Sequence, residues 1–354
     1  MFRKRASQQA TVVGLDLDPS HIAAVEVAPG PAMAIKRSAL AKLRPGIVRD
    51  GEVVDPEALT EALRELFDAH QLPTRVRIGM ANQRIVVRTM DLEPLLDDKA
   101  LAAAVQAQAA DHIPMPMDEA VVDFQRLGVV ATPQGPRTRV VIVAVRREVV
   151  ERLAQSATAA GLSIEGIDLS AFAMVRAVGE AGVGARLYLN VAGLTNVAVA
   201  GDDGVLFARA AAGGLEGLAH TLAERRALTL EHAHQWMVHV GLSAPLAAIE
   251  GDPDLVAATR GVLEEGIHQI ADAVRGSVEY YRMQEAAVPV EEGVLTGAAV
   301  AIPGFTEGLA ERLRLPLTSA VVPTAAEADD GGLELGRLTV AAGLAVDERD
   351  LRAA

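Results

Sequence analysis

The sequence predicts an α/β protein built from two related halves, with a strand-helix-strand-strand subdomain inserted in the first. Three observations predict it. A hairpin-like segment at Thr11 to Gly30 returns at Arg186 to Gly204, each as two β-rich apolar runs around a short polar turn. Strand-like runs alternate with helical patterns in both halves, which favours α/β layers over a helical bundle. Between them, Ile78 to Leu169 carries elements of a different kind and order from its flanks. The expected division is 1–79 for the first part of the first half and 80–168 for the insert. Residues 169–354 make the second half and complete the first.

Taken in order, Val12 to Leu17 and Ile22 to Val27 make the first hairpin around Asp18-Pro19-Ser20. Asp55 is an N-cap with Pro56 at the first helical position, followed by Leu59, Leu63 and Leu66 at helical spacing and a stop near Leu72-Pro73. The insert reads as strand Arg84 to Asp91, a helix opened by Asp97 or Asp98 and ended before Pro114, strand Ala120 to Val130, and strand Arg137 to Val145. Ala131 to Pro136 carries the Pro and Gly of an exposed turn, and a helix follows from Arg146 to Ala160. In the second half, Leu187 to Val191 and Thr195 to Ala200 form the repeated hairpin. The longest helical pattern runs from Val262 to Met283, with Leu263, Ile267, Ile270, Val274, Val278 and Tyr281 on one face.

Composition narrows the function. The 354 residues suit about two domains, and half of them are apolar, ample for buried cores. A net charge of −14 argues against generic nucleic-acid binding, which needs clustered cations. Absent cysteines exclude disulfides, thiolate zinc sites and cysteine nucleophiles. The basic start Met1 to Arg5 is followed by polar and small residues rather than an apolar stretch, so no export signal is expected. No apolar run reaches the length of a membrane span, and a cytoplasmic protein is expected.

The paired hairpin turns carry the chemical clue. Backbone N–H groups at such a turn bind phosphate oxygens, and an adjacent Asp positions a hydrated Mg²⁺. A third segment, Gly293 to Val300, is a strand running into a small-residue turn before the helix start at Pro303-Gly304-Phe305. The order of these segments resembles the actin-like ATPases, and within them the PilM family of type IV pilus assembly proteins, relatives of the division protein FtsA. The resemblance runs from Val13-Gly14-Leu15-Asp16-Leu17 to Val340 through Ala345. It is most specific at Asp111-His112-Ile113-Pro114-Met115-Pro116-Met117-Asp118-Glu119 leading into Val122-Asp123-Phe124-Gln125, at Val141 to Val150, and at Gly166 to Ala173. It implies duplicated ribonuclease H-like halves, an insert like the SHS2 (1C) subdomain of FtsA, and ATP with Mg²⁺ as cofactors. It also implies a partner, the cytoplasmic N-terminal tail of PilN, through which the chain would sit at the inner membrane beside other pilus and motor components.

Three turns depart from the family pattern. Asp18-Pro19 stands where the first phosphate turn has glycine, Asn190 and Ala192 replace the acid and glycine of the second, and Gly297-Ala298-Ala299 has fewer glycines than the usual adenosine turn. Two readings stay open. In one, ATP binds through Asp16, Asp18, Ser20, Thr195, Asn196, Gly213, Gly214 and Gly297, with Asp16 holding Mg²⁺ through water and turnover slow or absent. In the other, the cleft is a structural remnant in a scaffold that binds the PilN tail near Ile78 to Ala81 and Ile113 to Phe124. No residue is assigned a catalytic role, since Asn190 has no useful pKa for a base. An FtsA-like division role or a GspL-like secretion role is the alternative, against which stand the short, charged Asp347 to Ala354 and the lack of a span.

Remaining candidates are structural readings. His232, His234 and His239 do not stack at i and i+4 and are expected on the surface. Trp236, Tyr280 and Tyr281 are expected to pack, and Ser38, Ser163 and Ser170 lack a nucleophile context.

Overall fold

A computed structural model describes residues 11–28, 33–94, 97–133, 135–179, 184–211, 213–284, 287–325 and 332–346. The basic start, the segment 347–354 and residues 326–331 of the polar run lie outside the described residues, as does residue 134 in the insert's turn.

The first half opens with an antiparallel meander, β1 (Val13–Leu17), β2 (His21–Val27) and β3 (Ile35–Lys42). A small ribbon of β4 (Val48–Arg49) and β5 (Glu52–Val53) leads to α1 (Pro56–His70), after which β6 (Arg75–Met80) returns parallel to β1. Asp55 caps α1 by accepting from Ala58 N at 3.0 Å, and the helix buries Leu59, Leu63, Leu66 and Phe67.

The insert follows as β7 (Val86–Leu92), α2 (Asp98–His112), β8 (Ala120–Thr132) and β9 (Gly135–Arg146). Its antiparallel sheet has the order β7-β9-β8. Asp97 caps α2 on Ala100 N at 3.1 Å, and Leu101, Val105 and Ala109 seat the helix on Met90, Val140 and Ile142. The chain then re-enters the first half. Within the 80–168 stretch expected for the insert, α3 (Arg147–Ala159) packs in the first core with α1, and β10 (Ser163–Leu169) pairs parallel with β6. α4 (Ser170–Val178) crosses toward the second half.

That half repeats the plan. β11 (Ala185–Val191), β12 (Thr195–Gly201) and β13 (Gly204–Ala211) form the meander, followed by α5 (Leu215–Arg226), α6 (Leu230–Val240) and α7 (Pro253–Arg282). β14 (Val290–Thr296), α8 (Phe305–Leu313) and β15 (Leu317–Ser319) complete the sheet, and α9 (Gly332–Arg337) and α10 (Thr339–Leu344) close the described chain. The two five-stranded sheets have equivalent orders, β10-β6-β1-β2-β3 and β15-β14-β11-β12-β13, each three strands antiparallel and two parallel. Each half has its own core, and α10 returns against β1 so closely that a Cβ on Gly14 would stand 1.8 Å from Ala341 O.

One boundary differs from expectation. α7 begins at Pro253 rather than Val262, because Asp252 caps it on Asp254 N and Leu255 N and the buried face extends back to Val256 and Thr259. Among the described residues, no helix is long and apolar enough to cross a membrane.

Candidate functional site

Between the halves lies a cleft floored by the two repeated turns. The first is tight, with Asp18 and His21 exchanging backbone hydrogen bonds across Pro19-Ser20. Asp18 Oδ1 accepts from Ser20 N at 3.1 Å and Ser20 Oγ at 2.9 Å, and Ser20 Oγ lies 2.7 Å from His21 Nδ1. Asp18 Oδ2 reaches across the cleft and accepts from Gly193 N at 2.6 Å. The approach depends on glycine, since a Cβ on Gly193 would stand 2.2 Å from Asp18 Oδ1. In the second turn, Ala192 O accepts from Leu215 N at 2.7 Å, which engages the first amide of α5.

The expected site residues divide into three groups. Ser20, Gly213 and Gly214 line a cavity of about 430 Å³, together with His21, Lys42, Gly193, Glu216 and His234. Asp16, Asp18 and Thr195 stand at the turns: Asp16 Oδ1 accepts from Ser170 Oγ at 3.0 Å, and Thr195 Oγ1 donates to Gly213 O at 2.9 Å. Asn196 faces elsewhere, into a small recess with Met80, Asn82 and Ala210, and Gly297 is packed away from the cavity. At Gly297, with φ +91°, a Cβ would stand 2.1 Å from Asn190 Oδ1, and its carbonyl is overlaid by Gly336 of α9.

A buried ionic cluster completes the floor. Arg337 from α9 donates to Glu216 at the start of α5, both nearly inaccessible, and His234 Nε2 lies 3.1 Å from the same Glu216 oxygen. His234 is therefore not the surface histidine its spacing suggested; α6 turns it into the cleft. Burial pushes the Glu216 carboxyl up, but His234 and Arg337 outweigh that and hold it down at about 2. Burial, reinforced by Asp18, pushes Asp16 up to about 7, and burial also raises Asp18 against its hydrogen bonds. Burial with Arg337 holds His21 down at about 4. Ser170, Glu216, His234 and Arg337 were missed as site residues. Only Glu216 had a local signal, an acid in the first turn of a helix behind Gly213-Gly214.

A second cavity, of about 380 Å³, opens between the insert and the first half. Met80, Val121, Phe124, Val143, Ile167 and Phe172 give it apolar walls, and Arg77, Asp123, Asp168 and Arg176 charge it. Arg77 donates to Leu344 O and Val346 O, and Arg176 to Gly343 O and the Asp168 carboxylate, so both guanidiniums tie the end of α10 to this wall. Met80 lies in the expected Ile78 to Ala81 stretch, and Val121, Asp123 and Phe124 lie in the expected Ile113 to Phe124 stretch.

Two duplicated halves enclosing a cleft, with an insert on the first, define the actin-like class. Among solved structures, MreB5 of Spiroplasma citri bound to ADP aligns with a TM-score of 0.56 at 12% identity, covering 97% of this chain and 98% of that one. The ethanolamine utilization protein EutJ from Carboxydothermus hydrogenoformans gives 0.53 at 15% identity, covering 94% and 88%. A PilM-PilN type IV pilus biogenesis complex aligns with a TM-score of 0.75 at 25% identity, covering 96% of this chain and 98% of that one. The family model for type IV pilus assembly protein PilM matches residues 14–346, and the chain belongs to that family.

Proposed function

We propose that this chain is an actin-like scaffold of a type IV pilus assembly complex. It takes the cytoplasmic N-terminal tail of PilN in the groove between insert and first half, and PilN holds it at the inner membrane and links it to the motor side. The observation that carries the reading is the apolar, charge-rimmed cavity of about 380 Å³ in a chain of the PilM family. A similar chain solved as a PilM-PilN complex supports the choice of partner. A peptide groove needs backbone pairing and side-chain pockets, not a catalytic residue.

The nucleotide cleft is degenerate on this reading, and its residues do not fit a triphosphate with Mg²⁺. The Gly193 amide is already taken by Asp18, Pro19 has no N–H to offer, and the first amide of α5 is held by Ala192 O. A phosphate oxygen 4 Å from an ionised Asp18 would cost roughly 4 kcal/mol at an effective dielectric near 20. A second reading, nucleotide binding with slow turnover, is favoured by one observation. Asn190 Oδ1, Glu216 Oε2 and Arg337 Nη1 are buried without hydrogen-bond partners, and buried polar atoms are ordinarily satisfied.

Calorimetric titration separates the two. A synthetic PilN-tail peptide is expected to bind the full chain with micromolar affinity whether or not Mg-ATP is present, and a fluorescent ATP analogue is expected not to bind. Absent peptide binding, or ATP turnover at rates of working ATPases, overturns the scaffold reading.

A further inference from the structure

We propose that the chain closes its own cleft: the Asp18 carboxylate, seated on the Gly193 amide, is a built-in latch that keeps the two halves in one arrangement without a bound ligand. The proposal goes beyond the scaffold reading and is independent of what the groove takes.

The halves are joined by α4 and α10, which lie side by side. α4 leads from β10 of the first half toward β11 of the second. α9 lies on the Gly297 turn of the second half, and α10 carries the chain from there back against β1. A Cβ on Gly343 of α10 would stand 1.9 Å from Ala173 O of α4, so the two helices meet backbone to backbone. Such a close-packed pair serves as a hinge, and a hinged cleft is ordinarily closed by a ligand that bonds to both sides.

Here the bond to both sides comes from the chain. Asp18 Oδ1 is fixed within the first half by Ser20 N and Ser20 Oγ, and paired backbone bonds between Asp18 and His21 close the turn around it. Pro19 adds its fixed φ. The carboxylate is therefore aimed before the halves meet. Its Oδ2 takes Gly193 N of the second half at 2.6 Å, a short bond of the kind carboxylates make to backbone amides. The receiving turn is fitted to it, since any Cβ at position 193 would stand 2.2 Å from Asp18 Oδ1. Of the charged groups that face Asp18 from the second half, Arg337 attracts the carboxylate and Glu216 opposes it.

At the mouth the halves meet again. Lys42 at the end of β3 donates to Glu231 in the first turn of α6 at 3.1 Å, beside the cavity of about 430 Å³ that both line. Both side chains are more than half exposed, so water and salt screen this pair, and it covers the mouth without holding the halves. The floor contact, between part-buried groups, is the one that holds.

The test uses the absence of cysteine from the chain. Glu57→Cys on α1 and Gln235→Cys on α6 put one spin label on an exposed helical position of each half, and double electron–electron resonance reads the distance between them in the full chain. The parent pair is expected to give one narrow distribution, unchanged by Mg-ATP or by about 1 M KCl. Asp18→Ser keeps an acceptor for Ser20 N but is too short to reach Gly193. It is expected to lengthen the mean distance by about 3 Å or more, or to broaden the distribution about twofold. Lys42→Ala is expected to leave the distribution as in the parent.

A broad parent distribution that narrows on adding Mg-ATP would overturn the latch, because a ligand would then do the closing. So would an Asp18→Ser distribution like the parent's, or a change in Lys42→Ala as large as that in Asp18→Ser. The parent's response to Mg-ATP and salt is read with the turn intact, so the latch stays testable if Asp18→Ser fails to fold. Mg-ATP that binds without moving the labels would overturn the degenerate cleft and support the latch.

Discussion

The Asp18 carboxylate accepts from the Gly193 amide at 2.6 Å, joining the turn of one half to the turn of the other across a sequence separation of 175 residues. The two hairpins descend from one repeated pattern, and the contact places an acidic side chain of the first on the backbone donor of the second. A cleft bridged this way is held by the protein's own anion. Removing the bridge is the most direct way to ask whether that anion stands in for a phosphate.

Asp18→Gly combined with Asn190→Asp is expected to acquire binding of a fluorescent ATP analogue in the presence of Mg²⁺, where the parent chain has none. Fluorescence anisotropy reads the gain. No gain in the double variant would count against Asp18 as the occupant of the phosphate turn.

Gly193→Ala puts a Cβ 2.2 Å from Asp18 Oδ1 and is expected to destabilise the chain by about 1–3 kcal/mol. In an Asp18→Gly background most of that cost disappears, because the atom it strikes is gone. Urea denaturation of the four members of the cycle measures the coupling, and additive effects would refute the contact.

Glu216 is held at about 2 against an ordinary 4.5, so its contribution to stability is present above pH 4.5 and is lost as pH falls toward 2. Glu216→Gln leaves Arg337 buried without its counter-charge and is expected to cost roughly 3–5 kcal/mol at pH 7. The difference from the parent should shrink below pH 4. A constant difference from pH 7 to pH 3 would show that charge pairing is not what Glu216 supplies.

Asp16 has the opposite sign. Its folded pKa is raised from 3.8 to about 7, so the folded chain holds a proton that the unfolded chain releases, and stability falls as pH rises between those values. Asp16→Asn removes this term and is expected to flatten the melting temperature between pH 5 and pH 8, leaving the variant more stable than the parent at the alkaline end. Parallel pH profiles would contradict the raised pKa.

Phe124→Ala removes an aromatic side chain that borders the groove and also packs on the insert's own core, so it is expected to weaken the PilN-tail peptide at least tenfold while the chain stays folded with a lowered melting temperature. Unaltered affinity would move the peptide away from this cavity.

Much of the fold was legible because its signals are local. Asp55-Pro56 with leucines at helical spacing marks α1, and Asp97 marks α2, since a cap bonds an amide only three residues away. α7 shows the limit of periodicity: the apolar pattern suggested Val262, while the cap at Asp252 set the start. His234 shows the limit of spacing, because the side of α6 that meets Glu216 depends on where α5 lies.

The sequence by itself determined the repeated hairpins, the inserted elements between them and the helix caps. Each follows from backbone preferences and hydrogen bonds among neighbouring residues. Only the tertiary structure decided that Asp18 meets Gly193, that Arg337 meets Glu216 from 121 residues away, and that residues of β8 and β10 line one groove. Those pairings depend on how whole sheets and helices are set against each other, which packing of the cores fixes and no short stretch of residues encodes.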